Sequence, residues 1–164
     1  MEILDKKKHA LEKFNCGNEA LNRYLTIQAG QDMRKKLSVC FVLNDDYTGD
    51  LIGYYTLSSY SIDADAIPNS LKVNAPSNYS KLPATLLGRL AIDLKFQGKG
   101  LGEFVLMNAL ERALDASTKI ASVALIVDPI DKAAEDFYSQ YGFVKCKDCK
   151  QMILSMKTIA TLLN

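Results

Sequence analysis

The sequence predicts a mixed α/β (α+β) fold, one sheet with helices on its faces, and three observations carry that expectation. A β-prone, tyrosine-rich stretch broken by turn residues, 39–61, follows a first helical segment. An apolar strand, 85–93, runs through a glycine-rich turn straight into an amphipathic helix. A short buried strand, 122–127, then leads to a second amphipathic helix and a closing pair of short strands.

Each element has a local cause. Asn18 can cap a helix whose apolar residues Leu21, Tyr24, Leu25 and Ala29 recur at helical spacing, ending near Met33 before the basic trio Arg34, Lys35 and Lys36. Residues 39–43 and 51–61 read as an antiparallel hairpin around the turn chemistry of 44–50. Residues 62–83, punctuated by Pro68, Pro76 and Pro83, read as a long connection with little regular structure, and loops of that length often carry function. The helix over 100–117 places Leu101, Val105, Ala109 and Ala113 on one face. Asp131 can cap a helix through Tyr141, and short strands around Val144 and 152–156 close the fold. A chain of 164 residues with 48% apolar content suits a single domain, 1–164, around one continuous core.

The 20 basic and 19 acidic side chains nearly cancel, so the overall field selects no partner. Met1 to Lys8 carries charges where a secretory signal needs an apolar run, and no later stretch approaches the ~20 apolar residues of a membrane span. A cytoplasmic location with no membrane partner is the expectation, and there Cys16, Cys40, Cys146 and Cys149 are expected as reduced thiols. Cys146 and Cys149 form a C-x-x-C pair with no second pair or nearby histidine to complete a zinc site, so they read as strand or turn cysteines and no metal is expected. His9, the one histidine, stands beside three lysines and reads as a surface residue rather than a catalytic base.

The chemistry is concentrated at the turn Gln97, Gly98, Lys99, Gly100, Leu101 and Gly102. Exposed backbone N–H groups and the positive end of a helix meet there, glycines let the backbone approach an anion closely, and Lys99 can add a compact charge. A Walker loop would need Gly-x-x-x-x-Gly-Lys followed by Ser or Thr, and the dinucleotide fingerprint would need glycine at Glu103. What remains is Q-x-x-G-x-G following Leu90-Ala91-Ile92-Asp93, a pattern that resembles the acetyl-coenzyme A turn of GNAT N-acetyltransferases.

A second pattern strengthens the resemblance. GNAT enzymes continue with Asn-x-x-Ala-x-x-aromatic-Tyr and then Gly-Phe, and this chain has Asp131, Ala134, Phe137 and Tyr138, then Gly142-Phe143. Asp replaces Asn, and either residue can cap a helix. The resemblance implies a GNAT fold, its mostly antiparallel sheet splayed at the acetyl-CoA site. It also implies that the pantetheine arm adds like a strand to the backbone at Leu90, Ala91 and Ile92, and that Asp131, Ala134 and Phe137 join the turn in holding the cofactor. Tyr138 would then point its hydroxyl at the sulfur. Transfer to an amine expels a thiolate, which leaves more easily if a positioned acid protonates it, and a phenol with a reference pKa near 10 is protonated at neutral pH. An α-amine, with a pKa of about 7.7 to 8.0, is already partly neutral there, so no protein base is named.

Longer stretches are similar to the GNAT toxins that acetylate aminoacyl-tRNA: Phe14-Asn15-Cys16-Gly17, Leu21-Asn22-Arg23-Tyr24-Leu25, Gly53-Tyr54-Tyr55-Thr56-Leu57-Ser58, Leu82-Pro83, and Leu87-Gly88-Arg89 running on to Asp93. The resemblance implies the α-amine of a tRNA-bound amino acid as acceptor, arrest of translation, a ribbon-helix-helix antitoxin as silencing partner, and a homodimer. Basic residues that could meet RNA phosphates are Lys6 to Lys8, Arg34, Lys35, Lys36, Arg89, Lys95, and the lysines between 145 and 150. Arg89 lies inside an apolar strand, where it either reaches the acceptor or forms a buried salt bridge. The alternatives are an ordinary GNAT N-acetyltransferase for a small amine or protein N-terminus, and a module that binds acetyl-CoA without transfer.

Overall fold

The structure, a computed structural model, describes residues 1–71, 73, 76 and 78–164. Seven strands form one sheet: β1 (Glu2–Ile3), β2 (Val39–Asn44), β3 (Leu51–Asp63), β4 (Lys81–Ile92), β5 (Ala124–Val127), β6 (Val144–Lys145) and β7 (Met152–Ser155), in the order β1-β2-β3-β4-β5-β7-β6. The β1–β2, β2–β3, β5–β7 and β6–β7 pairs are antiparallel, and β4–β5 is parallel. Helices α1 (Glu19–Arg23), α2 (Ala29–Arg34), α3 (Leu101–Ser117), α4 (Lys132–Gln140) and α5 (Met156–Leu162) complete the mixed α/β architecture.

Several boundaries differ from the sequence expectation. Strand β3 continues to Asp63, and β4 starts at Lys81, well before Thr85, running through Pro83, whose carbonyl still accepts the Val123 amide at 2.9 Å. Proline costs the ladder a donor but not an acceptor, so a strand can absorb it. The connection 62–83 is therefore shorter than expected and holds two 3-10 turns, Ala64–Ala66 and Asn69–Leu71; its residues 72, 74, 75 and 77 lie outside the described residues. Strand β1 and helix α5 had no expectation, being a two-residue strand and a terminal seven-residue helix.

The chain divides into two compact units. The first comprises Met1–Ser58 and Arg89–Ala109, and its core gathers Phe14, Tyr24, Leu25, Cys40 and Tyr54. Asn18 caps α1 as expected, its side chain accepting the amides of Ala20 and Leu21. Between α1 and α2 the chain makes a π-helical turn, Tyr24–Gln28. Side chains meet carbonyls along this stretch: Thr26 Oγ1 donates to Asn22 and Arg23, Lys6 Nζ to Thr26 at 2.6 Å, and Gln31 Nε2 to Ile27.

The second unit comprises Ser59–Gly88 and Leu110–Asn164, with Ile62, Leu82, Ala124, Ile126 and Ile153 in its core. Strand β5 is buried at every position, as an apolar run of that length requires. Helix α3 contributes to both units, and along it Val105, Leu106 and Ala109 of the first and Leu110 and Ala113 of the second are fully buried; each large one contributes roughly 1.5–3 kcal/mol over exposure. Pairing of β4 with β5 takes in Thr85–Leu87 and Leu125–Val127, whereas β4 continues to Ile92.

Candidate active site

The glycine turn is built as the residues dictate. Gly98 and Gly100 adopt φ of +73° and +76°, left-handed conformations that side-chain-bearing residues rarely take, and a Cβ at either would meet nothing within 4 Å. The open space and the early amides of α3 form a cradle for an anion, because Phe104, bonding Gly100 at 3.3 Å, lies a full turn into the helix. These residues fit a diphosphate. Lys99 folds back: its ammonium donates to the Lys95 carbonyl at 3.0 Å and lies 5.4 Å from the Phe96 ring centre.

Gln97, expected to touch the cofactor, uses its side-chain amide within the protein. Nε2 donates to the Ile92 carbonyl at 2.8 Å and to the Cys16 carbonyl at 3.1 Å. Asp93 completes the clasp. It is 3% exposed, its Oδ2 accepts the Asn15 amide at 2.8 Å, its Oδ1 accepts the Lys95 amide at 2.9 Å, and its own amide donates to Ile52. The Leu94 amide donates to the Asn15 carbonyl at 2.9 Å. Residues 14–17 are thus the strap that fixes the strand-to-turn junction. Sequence reasoning passed over Asp93 and Asn15 as site-building residues, although an aspartate two residues before a free amide is a familiar turn signal.

Leu90, Ala91 and Ile92 form the end of β4. Gly53 of β3 packs so closely there that a Cβ would fall 2.6 Å from Ile92 Cδ1 and 2.8 Å from the Ala91 carbonyl oxygen.

In the second unit, Asp131 caps α4 by accepting the Ala134 amide at 2.8 Å, so the Asp-for-Asn exchange keeps the helix start. Tyr138 is the buried residue of that helix, 8% exposed, its ring against Phe137 and Phe143 at centroid distances of 5.3 Å each. Among the described residues no fully buried side-chain oxygen or nitrogen lacks a hydrogen-bond partner, and none of those residues is a hydrogen-bond partner of the Tyr138 hydroxyl. The residue is largely enclosed, and its hydroxyl oxygen is not wholly cut off from solvent. Burial pushes its pKa well above the usual phenol value, which keeps the proton in place. Tyr141 ends the helix as its C-cap.

The basic candidates separate. Lys6 is tied to Thr26, Lys8 to Glu2 at 2.5 Å, Lys95 to Asp50 at 3.5 Å, and Lys145 to Glu135 at 2.9 Å. Arg34, Lys35 and Lys36 stand exposed at the end of α2, with Lys36 at φ 60°. Arg89 forms no salt bridge among the described residues; its guanidinium carbon lies 3.5 Å from the centre of the Tyr24 ring.

His9 corrects the sequence reading. It is 6% exposed: Nδ1 accepts the Asp5 amide at 2.9 Å and Nε2 lies 3.3 Å from Glu2 Oε1. The turn at 5–9 directs the lysines outward and the imidazole inward, so the charged neighbourhood misleads. Cys146 is buried and Cys149 exposed; burial first, then Cys149, pushes the Cys146 thiol up to about 12, leaving it a neutral thiol at physiological pH. Among the described residues no helix is long and apolar enough to cross a membrane.

Comparison with known proteins adds function to this geometry. Residues 9–143 match the profile of the acetyltransferase (GNAT) family. The chain is 32% identical over 151 residues to the tRNA-acetylating toxin of Mycobacterium tuberculosis, covering 92% of this chain and 88% of that one. It is similar to the structure of AtaT complexed with acetyl-methionyl-tRNAfMet, with a TM-score of 0.89 and 30% identity over 99% of this chain and 98% of that one. It is also similar to an AtaT Tyr-to-Phe variant bound to acetyl-CoA and the C-terminus of the antitoxin AtaR, with a TM-score of 0.82 and 27% identity over 99% and 96% of the two chains.

Proposed function

Because the chain belongs to the GNAT acetyltransferase family, we propose that it is a toxin that acetylates the α-amine of an amino acid esterified to tRNA and so blocks translation. The observation that carries this reading is the near full-length likeness to a tRNA-acetylating toxin and to AtaT held with acetylated methionyl-tRNA. Acetyl-CoA-dependent N-acetyl transfer is the activity of the family; the acceptor is what distinguishes this reading from an ordinary N-acetyltransferase for small amines or protein N-termini. The reading takes residues 1–164 as one acetyltransferase domain.

Acetyl-CoA supplies an acetyl group activated as a thioester. The backbone of residues 98–102 receives the diphosphate, the edge of β4 at Leu90, Ala91 and Ile92 orders the pantetheine arm, and Gln97 holds turn and strand together. Asp131, Ala134 and Phe137 place Tyr138, whose O–H proton goes to the departing sulfur as the carbon–sulfur bond breaks and the carbon–nitrogen bond forms. The attacking amine gives its own proton to solvent. Esterification withdraws electron density from the amino acid and lowers its amine pKa, which removes the need for a strong base. His9, enclosed against Asp5 and Glu2, plays no part in that step.

Lys35, Lys36 and Arg89 are assigned to the RNA acceptor. The partners are aminoacyl-tRNA, a ribbon-helix-helix antitoxin and a second copy of the chain in a homodimer, and the place of action is the cytoplasm, where charged tRNA resides. The AtaT complex with the antitoxin AtaR supports an antitoxin partner here.

The test is a panel of acceptors offered with labelled acetyl-CoA: charged tRNA, deacylated tRNA, polyamines and peptides. Label entering charged tRNA alone supports the toxin; label in polyamines or peptides instead supports the ordinary enzyme.

A further inference from the structure

Among the described residues, Arg89 is a cation without a counter-ion. It occupies β4 immediately before Leu90, is partly buried, and its charge is felt by the enclosed Cys40, Tyr54 and Tyr24. A guanidinium in such a place is normally matched to a carboxylate, since taking it partly out of water is costly. Here no ion pair and no hydrogen bond of Arg89 occurs among the described residues. The face of the group rests 3.5 Å from the centre of the Tyr24 ring, a cation–π contact that steadies the plane and leaves the N–H edges unused.

Tyr24 is itself fixed. Its ring is 3% exposed and stacks near Tyr54 at 6.4 Å, and its hydroxyl lies 3.1 Å from Asp32 Oδ2 and 3.2 Å from Ser38 Oγ. Asp32 thus engages the hydroxyl tip of the Tyr24 ring, and it forms no ion pair with the guanidinium. The π-helical turn begins at Tyr24, and such turns are frequent where a side chain must be aimed.

We propose that Arg89, carried flat on Tyr24, is kept for a phosphodiester near the 3′ end of the RNA acceptor, and that Tyr24 is a positioning residue for it. This rests on the tRNA reading and adds the contact that holds the reacting end of the RNA beside the strand edge. A guanidinium presents two parallel N–H groups to phosphate oxygens, whereas a lysine in its place would offer a point charge without the stacked plane.

The test compares two acceptors, charged tRNA and an aminoacyl-adenosine that carries the same ester but no phosphate, with the wild type and the variants Arg89→Met, Arg89→Lys, Tyr24→Phe and Tyr24→Leu. The melting temperature and the acetyl-CoA dissociation constant of each variant are recorded alongside. For Arg89→Met the loss of kcat/KM on charged tRNA is expected to exceed the loss on aminoacyl-adenosine by about tenfold or more, chiefly through KM. The slope of log(kcat/KM) on charged tRNA against log salt should fall in magnitude by about one. Arg89→Lys should recover the salt slope but not the full rate, and Tyr24→Leu should resemble it while Tyr24→Phe stays nearer the wild type. Equal losses on both acceptors, or an unchanged salt slope in Arg89→Met, overturn the proposal. A wild type that labels neither ester overturns the tRNA reading itself, an outcome visible before any variant is compared.

Discussion

The Gln97 side-chain amide donates to the Ile92 carbonyl at 2.8 Å, tying the first residue of the glycine-rich turn to the last residue of the strand before it. A second bond from the same nitrogen reaches Cys16 at 3.1 Å. Gln97→Ala removes both. With each such bond contributing about 0.5–1.5 kcal/mol, the acetyl-CoA dissociation constant should rise roughly tenfold, as read by calorimetry. Gln97→Glu, which sets a carboxylate against two carbonyls, should weaken binding further. An unchanged constant in both variants would mean that the turn holds its shape without the clasp.

Two glycines of the first unit should respond differently to alanine. Gly53→Ala places a methyl group against the Ala91 backbone and Ile92, so β4 must shift where the pantetheine arm is assigned. A loss of about 1–3 kcal/mol is expected, together with weaker acetyl-CoA binding. Gly49→Ala meets nothing within 4 Å, and its φ of +72° costs on the order of 1 kcal/mol. Its acetyl-CoA affinity should match the wild type. Denaturant melts and calorimetry on the two variants check both parts.

Tyr138→Phe should lower kcat by about 100-fold or more with little effect on acetyl-CoA binding, since the ring remains and the proposed proton donor goes. Burial also raises the phenol pKa in the folded state. The folded protein keeps that proton at pH values where the unfolded chain has lost it. The resulting stabilisation is complete below about pH 10 and declines as pH climbs through the folded value. Thermal melts at increasing alkalinity should therefore show a shallower decline for Tyr138→Phe than for the wild type. Enclosed Tyr54, also raised by burial, preserves part of the slope.

His9→Ala should destabilise the chain by about 1–3 kcal/mol, because the Asp5 amide loses its acceptor, the space of the buried imidazole is emptied, and the contact with Glu2 at the start of β1 disappears. Acetyl transfer measured well below the melting temperature should be retained. A stable but inactive variant would instead make His9 a participant in the chemistry.

The parts legible in the sequence were those with local signals. Asn18 and Asp131 cap their helices, Gly98 and Gly100 take the conformations that glycine permits, and α3 and α4 follow their apolar period. What escaped depends on residues distant in sequence or on a break in period. The Gln97 and Asp93 contacts join positions 81 and 78 residues apart. Arg89 meets Tyr24 within the first unit, a contact that neither of its expected roles, reaching the acceptor or forming a buried salt bridge, included. The π-helical turn shifts the helical register at Tyr24–Gln28, which a uniform period conceals. His9 was obscured by its lysine neighbours, because composition records which residues are adjacent and not which way a tight turn sends them.

The acceptor is tested most directly by letting the protein react with acetyl-CoA and charged tRNA, hydrolysing the ester, and weighing the released amino acid by mass spectrometry with the site of modification mapped. The expected product carries one acetyl group on its α-nitrogen and is formed far more slowly by Tyr138→Phe. An amino acid released unmodified, while polyamines or peptides in the same mixture become acetylated, would contradict the assignment.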